Sequence, residues 1–299
     1  MPDMMEWLVA PGPASVELAN TVGKKLDAKL LDVEVRVFPD GESVINVVGE
    51  VTNKRVLLLQ SLYPPVDTHL IQALMLSHRL SQDGAEVYVA MPYLGYARQD
   101  KEFVQGEIVS VGVIARLLRA VGVKRLVTVD IHSIEGLGHF SFPTFSLSAF
   151  PLLAEYVKKN YRLERAVAAS PDLGGSARIE AFARVLGIEH FVLKKSRDRK
   201  TGDVTVEGES IPELDGKDVI FVDDIISTGT SICRGAEVLK KSNPRSLYAV
   251  CTHPLLVDGA LDRLYEVGIK EVIGTNTIPG PISKIDVAPL YSEYFSSVD

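Results

Sequence analysis

Short apolar runs of strand character alternate with runs of helical period along this chain, and the alternation occurs twice. That order limits the fold more than any other feature of the sequence. Val56-Leu57-Leu58-Leu59 reads as a buried strand. Asp67 to Leu80 follows, with Leu70, Ile71, Leu74 and Met75 at helical spacing. Val87 to Met91 is a second strand, Val109 to Ala120 a second helix, and Leu126 to Val129 a third strand. This order predicts a mostly parallel sheet with helices on its faces. The second half repeats the pattern. Ser170-Pro171-Asp172-Leu173 matches Ala10-Pro11-Gly12-Pro13, and Lys217-Asp218-Val219-Ile220 matches Lys54-Arg55-Val56-Leu57. Leu247-Tyr248-Ala249 matches Val87-Tyr88-Val89, and Gly268-Ile269-Lys270-Glu271-Val272 matches Gly122-Val123-Lys124-Arg125-Leu126. The shared order indicates one duplicated α/β unit rather than a solenoid. The expected division is 1–147 and 148–285, with a tail at 286–299 packing back on the first unit. The boundary is expected near residues 146–150, where Phe140 to Ser148 is rich in Ser, Thr, Phe and Pro.

Composition narrows the class of function. A 46% hydrophobic and 24% charged chain is neither disordered nor fibrous. No apolar run reaches the roughly 18 residues of a membrane span. The first residues carry Asp3 and Glu6 and no basic leader, so a secretory signal is not expected and a cytoplasmic location is. Cys233 and Cys251 lie far apart, which argues against a disulfide framework and a cysteine-built zinc site. The net charge of -7 means that nucleic acid or an anionic membrane would need a local basic patch, and neither is an expected partner.

Chemistry concentrates after the strand Asp218 to Val222. Asp223-Asp224 stands there, followed by Ile225-Ile226, the small hydroxylated loop Ser227-Thr228-Gly229-Thr230-Ser231, and a helix from Ile232 to about Lys241. Open α/β sheets bind ligands at the carboxyl ends of their strands. A loop of small residues lets backbone N–H groups converge on one anion, and the helix start adds its dipole. A sugar phosphate would set its phosphate in the loop and its hydroxyls against Asp223 and Asp224. The plainer reading is that both aspartates cap the helix. A second segment, Tyr93-Leu94-Gly95-Tyr96-Ala97-Arg98-Gln99-Asp100-Lys101, follows the strand at 87–91. Arg98 suits a phosphate, Gln99 and Asp100 a base or ribose, and Tyr96 offers an aromatic face. A solvated turn with incidental charges is the alternative.

The loop resembles the phosphoribosyl-diphosphate loop shared by type I phosphoribosyltransferases and ribose-phosphate diphosphokinases. Gly95 to Asp100 resembles the GYARQD motif that contacts ATP in the diphosphokinases and is missing from the transferases. Other pieces follow in that family's order. Phe38-Pro39-Asp40-Gly41-Glu42 resembles the adenine-holding loop, which in the family reaches a neighbouring subunit's site. Asp130-Ile131-His132-Ser133 resembles the strand end whose histidine touches ATP and Mg²⁺. Ser170 to Gly175 resembles the turn whose aspartate, here Asp172, serves Mg²⁺. Lys194 to Arg199 resembles the mobile catalytic loop, with its Lys-x-Arg pair on Lys195 and Arg197.

The resemblance spans about residues 7 to 290. It implies two phosphoribosyltransferase-like domains, with ATP contacts in the first and the ribose 5-phosphate and catalytic loops in the second. It implies Mg²⁺-dependent transfer of the diphosphoryl group of ATP to the anomeric hydroxyl of ribose 5-phosphate. ATP would meet Phe38, Asp40, Gly41, Glu42, Arg98, Gln99, Asp100 and His132. Ribose 5-phosphate would meet Arg197, Asp223, Asp224, Ser227, Thr228, Gly229, Thr230 and Ser231. Mg²⁺ would meet His132 and Asp172, and Lys195 and Arg197 would be catalytic. A homo-oligomer built from dimers is implied as well. Read without the family, His132 is a lone histidine, Asp172 a helix cap, Lys194 to Lys200 a solvated charge run, and Phe38 a core residue. The loop ends Gly229-Thr230-Ser231, closer to the transferases than to most diphosphokinases, and the chain has the length of the short archaeal type. The rival functions are a transferase that consumes phosphoribosyl diphosphate, an inactive regulatory homologue, and a nucleic-acid-binding regulator on the same fold.

Overall fold

The computed structural model describes residues 6–162, 165–197, 204–207 and 211–298; at 194–197 and 204–207 the description is of the backbone. The chain divides into two units. Unit 1 comprises residues 1–148 and 286–299, and unit 2 residues 149–285.

Unit 1 begins with β1 (Trp7–Pro11), α1 (Val16–Leu26) and β2 (Lys29–Leu30). A hairpin follows, β3 (Asp32–Val37) and β4 (Ser43–Val48). Then come β5 (Arg55–Leu59), α2 (Val66–Gln82), β6 (Glu86–Met91), α3 (Ser110–Ala120), β7 (Val123–Val129) and β8 (Thr144–Leu147). The sheet has the order β2-β1-β5-β6-β7-β8, and every pair in it is parallel. β5 is buried at every position, as a strand covered by helices on both faces must be. The alternating strands and helices expected over 56–129 are all present.

The face of α2 differs from expectation. Leu70, Ala73, Leu76 and Leu80 are buried, whereas Ile71 is 51% and Met75 39% exposed. The buried stripe at i, i+3, i+6 and i+10 lies one residue around the helix from the apolar pairs that catch the eye in the sequence.

Unit 2 contains α4 (Phe150–Asn160), β9 (Ala166–Ser170), α5 (Ser176–Leu186), β10 (Glu189–Val192), and the antiparallel pair β11 (Lys194–Arg197) and β12 (Val204–Glu207). It continues with β13 (Asp218–Ile226), α6 (Thr230–Leu239), β14 (Ser246–Pro254), α7 (Ala260–Glu266), β15 (Ile269–Thr275) and β16 (Ser283–Ile285). Its sheet order, β10-β9-β13-β14-β15-β16, repeats that of unit 1 strand for strand, again all parallel. The last helix, α8 (Ala288–Ser296), belongs to unit 1. The final strand of each sheet therefore leads into a helix that serves the other unit: β8 into α4, and β16 into α8. Tyr291 and Phe295 of α8 are fully buried, and Phe295 meets the Trp7 ring with centroids 5.4 Å apart.

Candidate active site

Unit 2 places its candidate residues where the strand order reverses. From β9 the chain passes through α5 to β10 on one side, while β13 lies on the other. Loops leaving adjacent strands in opposite directions open a crevice at their carboxyl ends. Asp172 stands in the loop after β9, and Ser227 to Ser231 in the loop after β13. The first loop is tight. A Cβ on Gly175 would lie 2.2 Å from Ser170 Oγ, and that hydroxyl donates to the Asp172 carbonyl at 2.8 Å.

β13 runs past Val222 to Ile226, so Asp223 and Asp224 are strand residues and leave opposite faces of it. Asp224 is 2% exposed, and its Oδ1 accepts a hydrogen bond from Arg178 Nη1 on α5 at 2.9 Å. Asp223 is partly exposed toward the crevice, and its Oδ1 accepts the Asp224 backbone N–H at 2.9 Å. Desolvation, then the negative charges of Asp224 and Asp172, push the Asp223 carboxyl well above the usual carboxylate range. Arg178 compensates Asp224, and a bound cation or ligand hydroxyls would relieve Asp223 of its negative neighbours. Neither aspartate caps α6, whose N-cap is Gly229 with no side-chain capping bond, and Asp172 makes no capping bond either. The capping reading is therefore set aside for Asp223 and Asp224, while Asp172 stands at the N-cap of the short 3-10 turn Leu173–Gly175 without a side-chain capping bond.

The loop itself is held by its carbonyls. Ser227 O accepts from the Val257 N–H at 3.2 Å, and Thr228 O from Arg263 Nη2 at 3.0 Å. Thr228 Oγ1 and Thr230 Oγ1 are 2.9 Å apart. Gly229 has φ 73°, the left-handed region where a side chain is strained. Among the described residues the backbone amides of Thr228, Gly229 and Thr230 donate to no backbone carbonyl. With the first-turn amides of α6, they form a place for an anion.

Unit 1 brings together two further segments, the loops after the adjacent strands β6 and β7. The Ser133 hydroxyl lies between Asp100 and Glu135, 2.8 Å from Glu135 Oε2. That hydroxyl foremost, with Lys101 and His132 nearby, holds the Asp100 carboxyl below its ordinary value. Gln99 Nε2 donates to Glu107 Oε2 at 3.0 Å, and Arg98 and His132 are exposed. Tyr96 and Asp130 take left-handed backbone here, φ 67° and 36°, in the two loops that carry the site. Tyr96 is only partly open: its ring packs on the core and its hydroxyl donates to Asp67.

Phe38 to Glu42 form the tip of the β3–β4 hairpin, away from the core position that one reading gave Phe38. Phe38 N–H donates to Glu42 O at 2.8 Å, Glu42 N–H to Asp40 Oδ1 at 3.2 Å, and Gly41 has φ 95°. Phe38 is 37% exposed beneath the Arg36 guanidinium, 4.8 Å from its ring centre. The backbone of Lys195 and Arg197 lies in β11, opposite Val206 and Val204. Their side chains, and residues 198–203, lie outside the described residues. Among the described residues no group of three or more His, Cys, Asp or Glu side chains forms a metal cage. Reasoning from sequence missed Arg178, Arg263, Ser133 and Glu135. Ser133 sits within the motif Asp130 to Ser133 and Glu135 two residues beyond it, but the two arginines meet partners distant in sequence and carry no local signal.

The family model described as the N-terminal domain of ribose phosphate pyrophosphokinase matches residues 8–122, and the phosphoribosyl transferase domain matches residues 151–279. A ribose-phosphate pyrophosphokinase of Sulfurisphaera tokodaii is 35% identical over 286 residues, covering 94% of this chain and 98% of the relative. That of Methanothermobacter thermautotrophicus is 38% identical over 281 residues, covering 94% and 96%. The crystal structure of phosphoribosylpyrophosphate synthetase from Mycobacterium smegmatis superposes with a TM-score of 0.88 at 30% identity, over 98% of both chains.

Proposed function

Since the chain belongs to the ribose-phosphate pyrophosphokinase family, we propose that it transfers the diphosphoryl group of ATP to the anomeric hydroxyl of ribose 5-phosphate, giving 5-phosphoribosyl 1-diphosphate and AMP for nucleotide biosynthesis. The observation that carries this reading is a pair of sites at the carboxyl edges of the two duplicated sheets. One sets Asp100, in the loop whose Arg98 and Gln99 would also meet ATP, near His132. The other sets Asp223 beside an amide-lined loop.

Diphosphoryl transfer depends chiefly on positioning and charge, with little covalent work for the protein. The loop Ser227 to Ser231 would hold the 5-phosphate through its open amides and the start of α6. Asp223 would accept hydrogen bonds from ribose hydroxyls and so orient the anomeric oxygen. Asp224, tied to Arg178, would keep Asp223 in place rather than meet the sugar directly. Asp40, Glu42, Arg98 and Gln99 would hold ATP, and Lys195 and Arg197 would close over the transferring group. The oxygen donors about Asp172 and Asp223 in unit 2 suit a hard divalent cation, which Asp172 would hold; for His132 in unit 1 a Mg²⁺ role rests on the family resemblance alone. When bound, Mg²⁺ neutralises charge on the triphosphate.

A homo-oligomer built from dimers fits the hairpin, whose Val37, Phe38, Val44 and Val48 are all exposed and apolar. A cytoplasmic location fits two unpaired cysteines, and no helix among the described residues is long and apolar enough to cross a membrane. The test is AMP release from ATP, ribose 5-phosphate and MgCl₂, with and without inorganic phosphate. Release that needs ribose 5-phosphate and stops with EDTA is expected. Consumption of phosphoribosyl diphosphate with a base, and no AMP release, would move the protein to the transferases. Light scattering on size-exclusion fractions tests the oligomer.

A further inference from the structure

Unit 2 holds a cavity of about 370 Å³ that the proposed reaction does not use. Asp218, Ser246 and Lys270 line it at the starts of β13, β14 and β15. It therefore opens at the amino-terminal edge of the sheet, opposite the edge that carries Asp223 and the loop Ser227 to Ser231.

The duplication explains why it is there. Pro289-Leu290 and Glu293-Tyr294-Phe295 of α8 match Pro151-Leu152 and Glu155-Tyr156-Val157 of α4 at equal spacing, so the helices are copies. In unit 1 the corresponding place is full. The Trp7 and Phe295 rings stack edge to face, Trp7 lies 5.0 Å from Tyr88, and the Arg55 guanidinium sits 4.9 Å from the indole. In unit 2 the sheet keeps the tyrosine, Tyr248, but loses both other rings. Ala166 pairs with Asp218 where Trp7 pairs with Arg55, and Val157 takes the place of Phe295. A space that two aromatic rings fill in one copy is open in the other.

Charge sets the class of ligand. Arg162, Arg245 and Lys270 line the cavity against one carboxylate, Asp218. Arg245 grips Asp218 with Nε at 2.9 Å and with Nη2. Arg162 and Lys270 make no ion pair among the described residues, and the Lys270 ammonium lies 5.7 Å from the centre of the Tyr248 ring. Val157, Ile220, Val250 and Ile273 supply an apolar floor. The Tyr161 and Tyr248 rings meet edge to face at 5.5 Å, and Tyr161 is fixed by its 2.6 Å hydrogen bond to Glu271 Oε2. The volume falls in the lower part of the roughly 300–1,000 Å³ range of small-molecule pockets.

We propose that this cavity binds a flat aromatic ring carrying an anionic arm, the class to which a purine nucleoside monophosphate belongs, at a site separate from the reaction centre. The ring lies on the apolar floor where unit 1 keeps its own rings, and the arm meets Arg162 and Lys270.

Labelled AMP in equilibrium dialysis tests this on the intact protein. Val157→Phe puts back one of the two unit 1 rings on the cavity floor where the ligand ring would lie, so it should bind one AMP fewer per chain than the parent, with unchanged turnover. The Arg162→Ala, Lys270→Ala pair should weaken that same class of site about 10- to 100-fold, as expected for lost charged contacts. Ribose 5-phosphate, which has no aromatic ring, and adenosine, which has no charge, should compete poorly for it. The count falls by one whether or not the reaction centre also takes AMP, so the result is independent of the proposed reaction. AMP capacity and affinity unchanged in both variants would overturn the site, and equal competition by ribose 5-phosphate would overturn the aromatic requirement.

Discussion

Replacing Arg178 with Ala isolates the support beneath the acidic strand end. The side chain of Asp224 is 3% exposed and that of Arg178 20%, with 2.9 Å between Nη1 and Oδ1. Removing one partner of a buried pair costs roughly 3–5 kcal/mol, because the remaining charge is left without compensation. Partial access of water to Arg178 argues for the lower end, about 3 kcal/mol. Urea unfolding followed by far-UV circular dichroism measures the loss, and Trp7, the sole tryptophan, reports unit 1 separately by fluorescence. The double variant Arg178→Met, Asp224→Leu removes both charges and should recover stability to within about 1 kcal/mol of the parent, since apolar replacements of a buried pair are often neutral. Recovery of folding should not bring back ribose 5-phosphate turnover, because Asp223 keeps the backbone N–H of residue 224 but loses the charged side chain beside it. A loss below about 1 kcal/mol for Arg178→Ala would refute the reasoning. So would a double variant less stable than the single one.

Three other outcomes follow from the same geometry. Asp223 has its carboxyl pushed up, so its ionised form is disfavoured in the folded state; this contribution is most favourable below the unfolded value of about 3.9 and is lost as pH rises through the folded one. Asp223→Asn should therefore raise the melting temperature at pH 8 but not at pH 3, while raising KM for ribose 5-phosphate about 10- to 100-fold, the effect of losing hydrogen bonds to a charged group; calorimetry at both pH values and initial rates check it. Gly229→Ala forces a Cβ into left-handed backbone 3.2 Å from Leu264 Cγ, and should cost about 1–2 kcal/mol in urea unfolding and weaken binding of the 5-phosphate. Lys195→Ala should lower kcat by orders of magnitude with little change in ribose 5-phosphate binding by calorimetry, and near-normal turnover would remove Lys195 from catalysis.

Much of this protein is legible in one dimension. The alternation of Val56 to Leu59 with the helical run after Asp67, and its echo after Lys217, determines two parallel sheets, because burial on both faces demands continuous apolar strands. The loop Ser227 to Ser231 is legible because small residues, a positive-φ glycine and a helix start are local properties of consecutive residues. Other features needed the third dimension. The extension of β13 through Asp224 depends on its ladder with β14, where Asp223 pairs with Cys251, and that pairing decides which aspartate faces the crevice. The buried face of α2 depends on the angle at which the sheet receives it, and its exposed Ile71 and Met75 match the helical period equally well. Arg178 reaches Asp224, and Arg263 reaches Thr228, only because α5 and α7 pack beside β13 and its loop. The sequence by itself determined the order of the elements and the chemistry of each strand end, since both are set by near neighbours along the chain. Only the tertiary structure decided which charges meet and which sheet each terminal helix covers. It also decided that unit 2 keeps a cavity where unit 1 keeps two rings, because those outcomes depend on packing between residues that the chain holds far apart.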